Sequence, residues 1–309
     1  MNPASDPTPG VAAATWLAQG RRHLQVQDFD AAQICLERAL VLQPDFSDAY
    51  ELLGKLLYRE GRTAEASANY RRWLREVPGH PVAAHMVAAT GEGPAPPRAS
   101  DACVTSLYRR AAVNFDATAA ALGYRAPELL YHCATTQLGA RGQFGDVLDL
   151  GCGTGLCGAL FRETAGCLTG VDLSEEMLDR ARQRGCYDHL VEAELTQFLD
   201  SRGAAFDLVI AADVFCYFGN LEPAFAAVAG ALRPNGHLVF SVEAAEDPET
   251  GHVLQEHGRY AHALRYLEHV LGRAGLAIVS RRREMLRFER GAPVEGWIMA
   301  ARQFDIEVG

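Results

Sequence analysis

Val147-Leu148-Asp149-Leu150-Gly151-Cys152-Gly153-Thr154-Gly155 joins a short apolar run to a glycine-rich turn, and Gly155 to Thr164 beyond it reads as helix. Strand, glycine turn and helix in succession make a nucleotide-binding arrangement. Gly151, Gly153 and Gly155 remove side chains where the backbone must pass close to a ligand. That ligand is then expected to meet free N–H groups of the following helix. Asp172 ends the next strand, 19 residues after Gly153, where a carboxylate can accept both hydroxyls of a ribose.

Downstream, strand and helix alternate. Apolar runs at 147–150, 168–172, 190–193, 206–211, 236–242, 276–287 and 296–302 read as seven strands. Helical segments at Ser174–Gln183, Leu221–Leu232 and His262–Ala274 fall between them. Such alternation predicts an α/β domain with a parallel sheet covered on both faces. The last two strands are separated only by the turn at Gly291-Ala-Pro293, which permits antiparallel pairing alone. The sheet is therefore expected to close with an antiparallel hairpin.

Upstream, Trp16, Gly20, Ala32, Leu36, Ala39 and Pro44 have counterparts 34 positions later, at Tyr50, Gly54, Ala66, Tyr70, Trp73 and Pro78. The period and pattern resemble the tetratricopeptide repeat, a helix-turn-helix unit. Small residues let paired helices approach, and the prolines end each second helix. Ala39 against Trp73 is the poor match. Pro81–Ala89 is expected to cap the two repeats. The Gly/Pro-rich stretch Gly91–Pro97 marks a boundary. The expected division is thus an all-α repeat domain over 11–92, a linker over 93–102 and an α/β domain over 103–309. Ser100–Ala120 and Leu129–Leu138 read as helices that open the second domain.

The totals narrow the function. A formal net charge of −10 over 309 residues argues against a nucleic-acid binder, which needs a basic footprint. The eight cysteines are scattered without CxxC or zinc-finger spacing, so no metal site is expected. They fit a reducing cytoplasm and packing roles better than a disulfide framework. Met1–Gly10 lacks a signal-peptide pattern, and no apolar run is long enough to span a membrane.

Gly153-Thr-Gly155-Leu-Cys-Gly158 also satisfies GxGxxG, so a nicotinamide-dependent enzyme must be weighed. Asp149 speaks against it. A carboxylate beside the loop repels a pyrophosphate and attracts a sulfonium or ammonium group. The closing hairpin also fits two mononucleotide-binding halves poorly.

On these residues the chain resembles the class I S-adenosylmethionine-dependent methyltransferase family over roughly Ser106 to Arg302. Val147–Gly155 is similar to that family's first motif, which implies Asp149, Gly151, Cys152, Gly153 and Gly155 at the cofactor, and Val171-Asp-Leu-Ser-Glu-Glu-Met-Leu178 is similar to its second. The resemblance implies a Rossmann-like methyltransferase sheet and S-adenosylmethionine as cofactor, released as S-adenosylhomocysteine. It implies Asp172 and Leu173 at the ribose, Met177 against the adenine, and Glu194 and Leu195 at the adenine edge. The family more often carries Asp at the Glu194 place. Phe206–Asp213 resembles the fourth-strand motif, which implies Ala211 and Asp213 by the methionine part of the cofactor. Leu232-Arg-Pro-Asn-Gly236 resembles the turn before strand five. The whole chain is most similar to bacterial predicted methyltransferases with N-terminal tetratricopeptide repeats. Leu107-Tyr108, Asn114-Phe115-Asp116, Tyr124–Pro127, Gly258–His262 and Arg287–Gly296 carry that likeness. It implies an aromatic-rich helix that closes over the cofactor, with Tyr108 as the lid residue.

Methyl transfer from a sulfonium is an in-line displacement that mostly needs alignment. A base is needed only if the acceptor must lose a proton. Glu243, Tyr260 and His262 lie beyond strand five, at the edge where ligands of open α/β sheets bind. Tyr260 and His262 are the candidates for the acceptor, with His262 as base. The alternative is that both merely pack on the helix before strand six. The expected function is methylation of a small-molecule acceptor, with the repeats serving dimerisation or partner docking. Alternatives are a protein methyltransferase whose repeats hold its substrate, a nicotinamide-dependent oxidoreductase, and a non-catalytic scaffold.

Overall fold

The computed structural model describes residues 8–138, 144–247, 249 and 251–304. Residues 1–7 of the expected leaderless N-terminus and 305–309 of the expected second domain lie outside the described residues. The chain divides into two units, Met1–Ala95 with Glu256–Gly258, and Pro96–Gln255 with Arg259–Gly309.

Among its described residues the first unit holds five helices: α1 (Pro9–Gln25), α2 (Phe29–Leu42), α3 (Ser47–Arg59), α4 (Thr63–Glu76) and α5 (Pro81–Ala89). α1 packs on α2, α2 on α3, α3 on α4 and α4 on α5. The small residues of the 34-residue period sit where helices meet. A Cβ at Gly20 would press on Leu36 at 3.1 Å, and one at Gly54 would collide with the Tyr70 ring. Trp73, the poor match in the repeat, is buried and stacks on Tyr50, ring centroids 6.1 Å apart. Its indole Nε1 donates to Ser47 Oγ at 3.1 Å, so the large residue is accommodated with its polar edge satisfied.

The second unit opens with α6 (Asp101–Ala111), α7 (Phe115–Ala121) and α8 (Ala126–Leu138). The single helix expected over Ser100–Ala120 is broken after Ala111. Ser100 caps α6 by accepting from Cys103 N at 3.2 Å. There follow β1 (Asp146–Leu150), α9 (Leu156–Phe161), β2 (Cys167–Asp172), α10 (Glu175–Arg184), β3 (His189–Glu192), α11 (Leu195–Asp200), β4 (Phe206–Ala211), α12 (Glu222–Ala231), β5 (Leu232–Ala244), β6 (His252–Leu254), β7 (Tyr260–His262), α13 (Leu264–Arg273), β8 (Leu276–Glu289) and β9 (Ala292–Gln303).

β3-β2-β1-β4-β5 run parallel, and β9 joins the far side of β5 antiparallel, followed by β8. The expected terminal hairpin is present, in the register Glu289↔Ala292. Both faces of the central strands are covered, which is why they read as continuous apolar runs. Leu148, Leu150, Val209 and Ala211 face a core shared with α11, α12 and α13. Val147, Leu208 and Ile210 face the opposite core, with Leu130 and Phe161.

One expectation is corrected. The seven expected strands are present, and among the described residues β6 and β7 add a short hairpin, with β7 pairing the end of β5 through Glu243↔Ala261 and Ala244↔His262. His262 therefore ends a strand instead of starting a helix. A three-residue strand has too few residues to show a period of two, so this element left no pattern to read.

Strand order reverses on either side of β1, which places a crevice at the carboxyl ends of β1 and β4. Among the described residues no helix is long and apolar enough to cross a membrane, and no group of three or more His, Cys, Asp or Glu could hold a metal ion. Among the described residues the eight cysteines form no disulfide.

Candidate active site

The turn after β1 holds Gly151, Gly153 and Gly155 at φ of 61°, 53° and 89°, a region that side chains other than glycine's adopt at a cost. Of the three, Gly153 is the one with open space at its Cβ position. That open side is where a ligand can approach the backbone. Gly153 N donates to Asp172 Oδ2 at 2.9 Å, and Ser174 N donates to Asp172 Oδ1 at 2.9 Å. The turn and the end of β2 are thereby locked together. Burial raises the Asp172 carboxyl above its ordinary range, and the backbone donors oppose the rise. The helix beyond the turn, α9, has six residues, so the turn's own backbone, more than a long helix, shapes the cradle.

Asp149 lies under the turn, buried. Tyr187 Oη donates to its Oδ2 at 2.6 Å, while its Oδ1 is buried without a hydrogen-bond partner. Tyr187 reaches it because Gly158 and Gly170 have no side chains; a Cβ at either would collide with the Tyr187 ring. Burial pushes Asp149 up to about 7, Asp172 adds to the rise, and the Tyr187 hydrogen bond opposes it. The result, among the described residues, is a buried carboxylate with one oxygen unused and no ion-pair partner.

Glu194 repeats this pattern at the end of β3. Its Oε2 caps α11 by accepting from Gln197 N at 3.0 Å and also accepts from Thr196 Oγ1. Its Oε1 is buried without a partner. Met177 and Leu195 are buried and Leu173 is half-buried. Met177 N is held by Ser174 Oγ at 3.3 Å, the cap of α10.

At the carboxyl end of β4, Ala211 is buried and Asp213 takes a φ of 53°. Asp213 N donates to Ser241 Oγ at 2.8 Å, and that hydroxyl donates back to Asp213 Oδ1 at 2.8 Å. Two guanidinium groups converge here. Arg287 Nη2 donates to Glu243 Oε1 at 2.6 Å and to Glu289 Oε2 at 3.0 Å. Arg259 Nη1 lies 3.4 Å from Asp213 Oδ2 and 3.6 Å from Glu243 Oε1. Tyr108 Oη and Tyr217 Oη are 2.6 Å apart, their rings edge-on at 5.8 Å, and Arg259 stands over the Tyr217 ring at 6.0 Å.

Tyr260 and His262 do not join this group. Tyr260 is fully buried and its hydroxyl donates to Pro96 O. His262 is fully buried and its Nε2 donates to Phe218 O at 2.8 Å. Burial pulls its imidazole down to about 4. Glu243 does lie in the group, as the partner of Arg287.

Sequence reasoning assigned no role to Tyr187, Tyr217, Arg259, Arg287, Asp116 or Arg184. Asp116 on α7 accepts from Thr154 Oγ1 at 2.5 Å and from Arg184 Nη2 at 2.5 Å, while Arg184 Nε donates to Thr154 O at 2.9 Å. This ties α7 to the glycine turn. Asp116, Arg259 and Arg287 did fall within segments that carried the family likeness, but no spacing rule joins positions so distant in sequence.

The strand order, the glycine turn under Asp172 and the antiparallel closure define a class I methyltransferase fold. A family model for a methyltransferase domain matches residues 148–240, and one for the tetratricopeptide repeat matches residues 17–81. The chain thus carries a stretch similar to methyltransferase domains, preceded by one similar to tetratricopeptide repeats, and its relatives and structural neighbours include S-adenosylmethionine-dependent methyltransferases. It is 33% identical over 165 residues to a malonyl-[acyl-carrier protein] O-methyltransferase of Enterobacter lignolyticus, covering 50% of this chain and 65% of that one. It is 39% identical over 106 residues to human methyltransferase-like protein 27, covering 34% and 43%. The chain spans about half to two thirds of the length of the curated relatives it matches. Among solved structures, magnesium protoporphyrin IX methyltransferase from Synechocystis with bound S-adenosylhomocysteine has a TM-score of 0.50 at 20% identity, covering 66% of this chain and 99% of that one. A Burkholderia thailandensis 1,6-didemethyltoxoflavin-N1-methyltransferase has a TM-score of 0.51 at 22% identity, covering 68% and 93%. These two establish the likeness of fold.

The residues present fit such a cofactor. Asp149 Oδ1 and Glu194 Oε1 are buried acceptors without donors, and the cofactor carries an ammonium group and an adenine amino group. Buried acceptors of this kind are rare unless a ligand completes them.

Proposed function

We propose that this protein transfers the methyl group of S-adenosylmethionine to a small-molecule acceptor. The observation that carries the reading is the Gly153–Asp172 junction flanked by two buried, half-used carboxylates. Asp172, already oriented by two backbone N–H groups, keeps lone pairs for the ribose hydroxyls. Glu194 Oε1 receives the adenine amino group, with Leu173, Met177 and Leu195 packing around the ring. Asp149 and the residues at the end of β4, Ala211 and Asp213, hold the methionine part. Cys152 is a packing residue of the turn. Tyr108 on α6 covers the site, held by Tyr217.

The bound cofactor supplies an activated methyl on a sulfonium. The protein's part is alignment and exclusion of water, effects able to lower a barrier by about 7–11 kcal/mol in favourable cases. A pyrophosphate fits poorly here, since Asp149 would stand buried against it. We assign the repeats to dimerisation or partner docking. Ile34 and Val41, one heptad apart on α2, leave large apolar side chains exposed on one side of that helix.

Asp172→Ala tests the reading. Losing a charge-assisted acceptor for two hydroxyls is expected to weaken S-adenosylhomocysteine binding by about tenfold to a hundredfold. Far-ultraviolet circular dichroism should stay unchanged. Unaltered affinity in calorimetry would remove Asp172 from the site.

A further inference from the structure

Glu243, Tyr260 and His262 stood as the catalytic candidates, with His262 as the base, and the structure occupies all three. His262 Nε2 is spent on Phe218 O, Tyr260 on Pro96 O, and Glu243 on Arg287. What converges instead beside the end of β4 is a pair of cationic forks. Arg287, nearly fully buried, has its Nη1 without a hydrogen-bond partner, standing 3.6 Å from Asp213 Oδ2. Arg259 is half-buried, and among the described residues its guanidinium makes one hydrogen bond, long at 3.4 Å. A guanidinium carries five N–H donors in a planar fork. Leaving a buried donor such as Arg287 Nη1 unused is costly, and an oxyanion bridging it and the more open Arg259 fork is the group that fits them. The pair also lies beside the cofactor turn. Val214, the neighbour of Asp213, packs against the turn: a Cβ at Gly151 would meet its Cγ2 at 2.5 Å.

Resting on the methyltransferase reading above, we propose that Arg259 and Arg287 bind a carboxylate of the methyl acceptor and that this carboxylate is the group methylated. The chemistry explains the missing base. A carboxylate oxygen attacks the methyl with its own lone pair. The new C–O bond forms as the S–CH3 bond breaks, and that bond's electron pair goes to sulfur. The sulfonium becomes a neutral thioether and the carboxylate a neutral methyl ester. No proton is released, so no base is required. Opposite charges cancel along the reaction, which a poorly solvated site favours. Tyr108 and Tyr217 shield the groups that react.

The test is a calorimetric titration of the full-length protein, first with S-adenosylhomocysteine and then, once loaded, with malonate, succinate and glutarate as probes. We expect at least one dicarboxylate to bind saturably. Arg259→Gln should weaken it tenfold or more, and Arg259→Lys, which keeps the charge, should lose less. Arg287→Gln would remove the guanidinium nearest to buried Glu243 and is expected to misfold, so Arg259 is the informative position. With methyl-labelled S-adenosylmethionine, the bound dicarboxylate should yield an ester that alkali converts to volatile labelled methanol. The proposal is overturned if none of the three acids binds the loaded protein, if Arg259→Gln binds as well as wild type, or if the label is alkali-stable. Inorganic phosphate binding as tightly as the best acid would overturn the carboxylate assignment in favour of a phosphate site. Failure of S-adenosylhomocysteine itself to bind would bring down the methyltransferase reading, whereas its binding without any acid overturns the acceptor class alone.

Discussion

On the reading proposed above, Asp149 couples cofactor binding to pH. Buried and held near 7, it is partly protonated at neutral pH when no cation is beside it. An arriving ammonium or sulfonium favours the carboxylate, so binding must expel the proton at lower pH. Affinity for S-adenosylmethionine is expected to rise with pH up to about 7 and then flatten, approaching tenfold per unit on the acid side. Calorimetry at pH 6.5 in two buffers of different ionisation enthalpy should detect the released proton. Tyr187→Phe removes the hydrogen bond that holds Asp149 down, and should move the bend in that curve to higher pH. His262 carries a separate pH effect, on stability. Its folded value of about 4 lies below the unfolded value near 6.5, so the fold prefers the neutral ring. The stability this contributes is present above pH 6.5 and is lost as pH falls toward 4, by up to about 3 kcal/mol. Thermal melts between pH 4 and 7 should show that loss, and His262→Gln should flatten it. Asp149 and Asp172 were legible in sequence because each sits at a fixed distance from the glycines. Tyr187 was not, since what admits it is the absence of side chains at Gly158 and Gly170, on two other elements.

Among the elements, α7 is the one the site depends on without supplying a predicted ligand. Its Asp116 holds Thr154 of the glycine turn and Arg184 at the end of α10 in one hydrogen-bonded set. Asp116 is about half exposed, so the set adds little to global stability. Its effect is on the position of the turn. Asp116→Ala is expected to raise the dissociation constant for S-adenosylhomocysteine about three- to tenfold, with a melting temperature of the free protein changed by roughly 2 °C at most. An unchanged dissociation constant would mean that the turn holds its shape without α7. Long, strongly patterned elements were readable from sequence: β4, β5, the closing hairpin and the five repeat helices. Each buries a regular face, and burial imposes the period. The break between α6 and α7 and the β6–β7 hairpin were hidden. Their boundaries depend on which tertiary partner each short segment meets, as when Ala261 and His262 pair with the end of β5.

For the whole molecule, the order of the sheet explains why so much chemistry was predictable from one nine-residue stretch. The reversal at β1 and β4 delivers the glycine turn, Asp172, Glu194 and Asp213 to a single edge, although they span 63 positions, from Gly151 to Asp213 inclusive. The arginine pair comes to that edge by a different route, from the β6–β7 hairpin and the terminal antiparallel strands, and no local motif announces it. The central claim is that this edge is built for a cationic sulfonium cofactor and not for a dinucleotide. Parallel calorimetric titrations of the protein with S-adenosylhomocysteine and with NADH test it most directly. Saturable binding of one S-adenosylhomocysteine per chain, with no heat from NADH, is the result expected; binding of NADH without S-adenosylhomocysteine would contradict it.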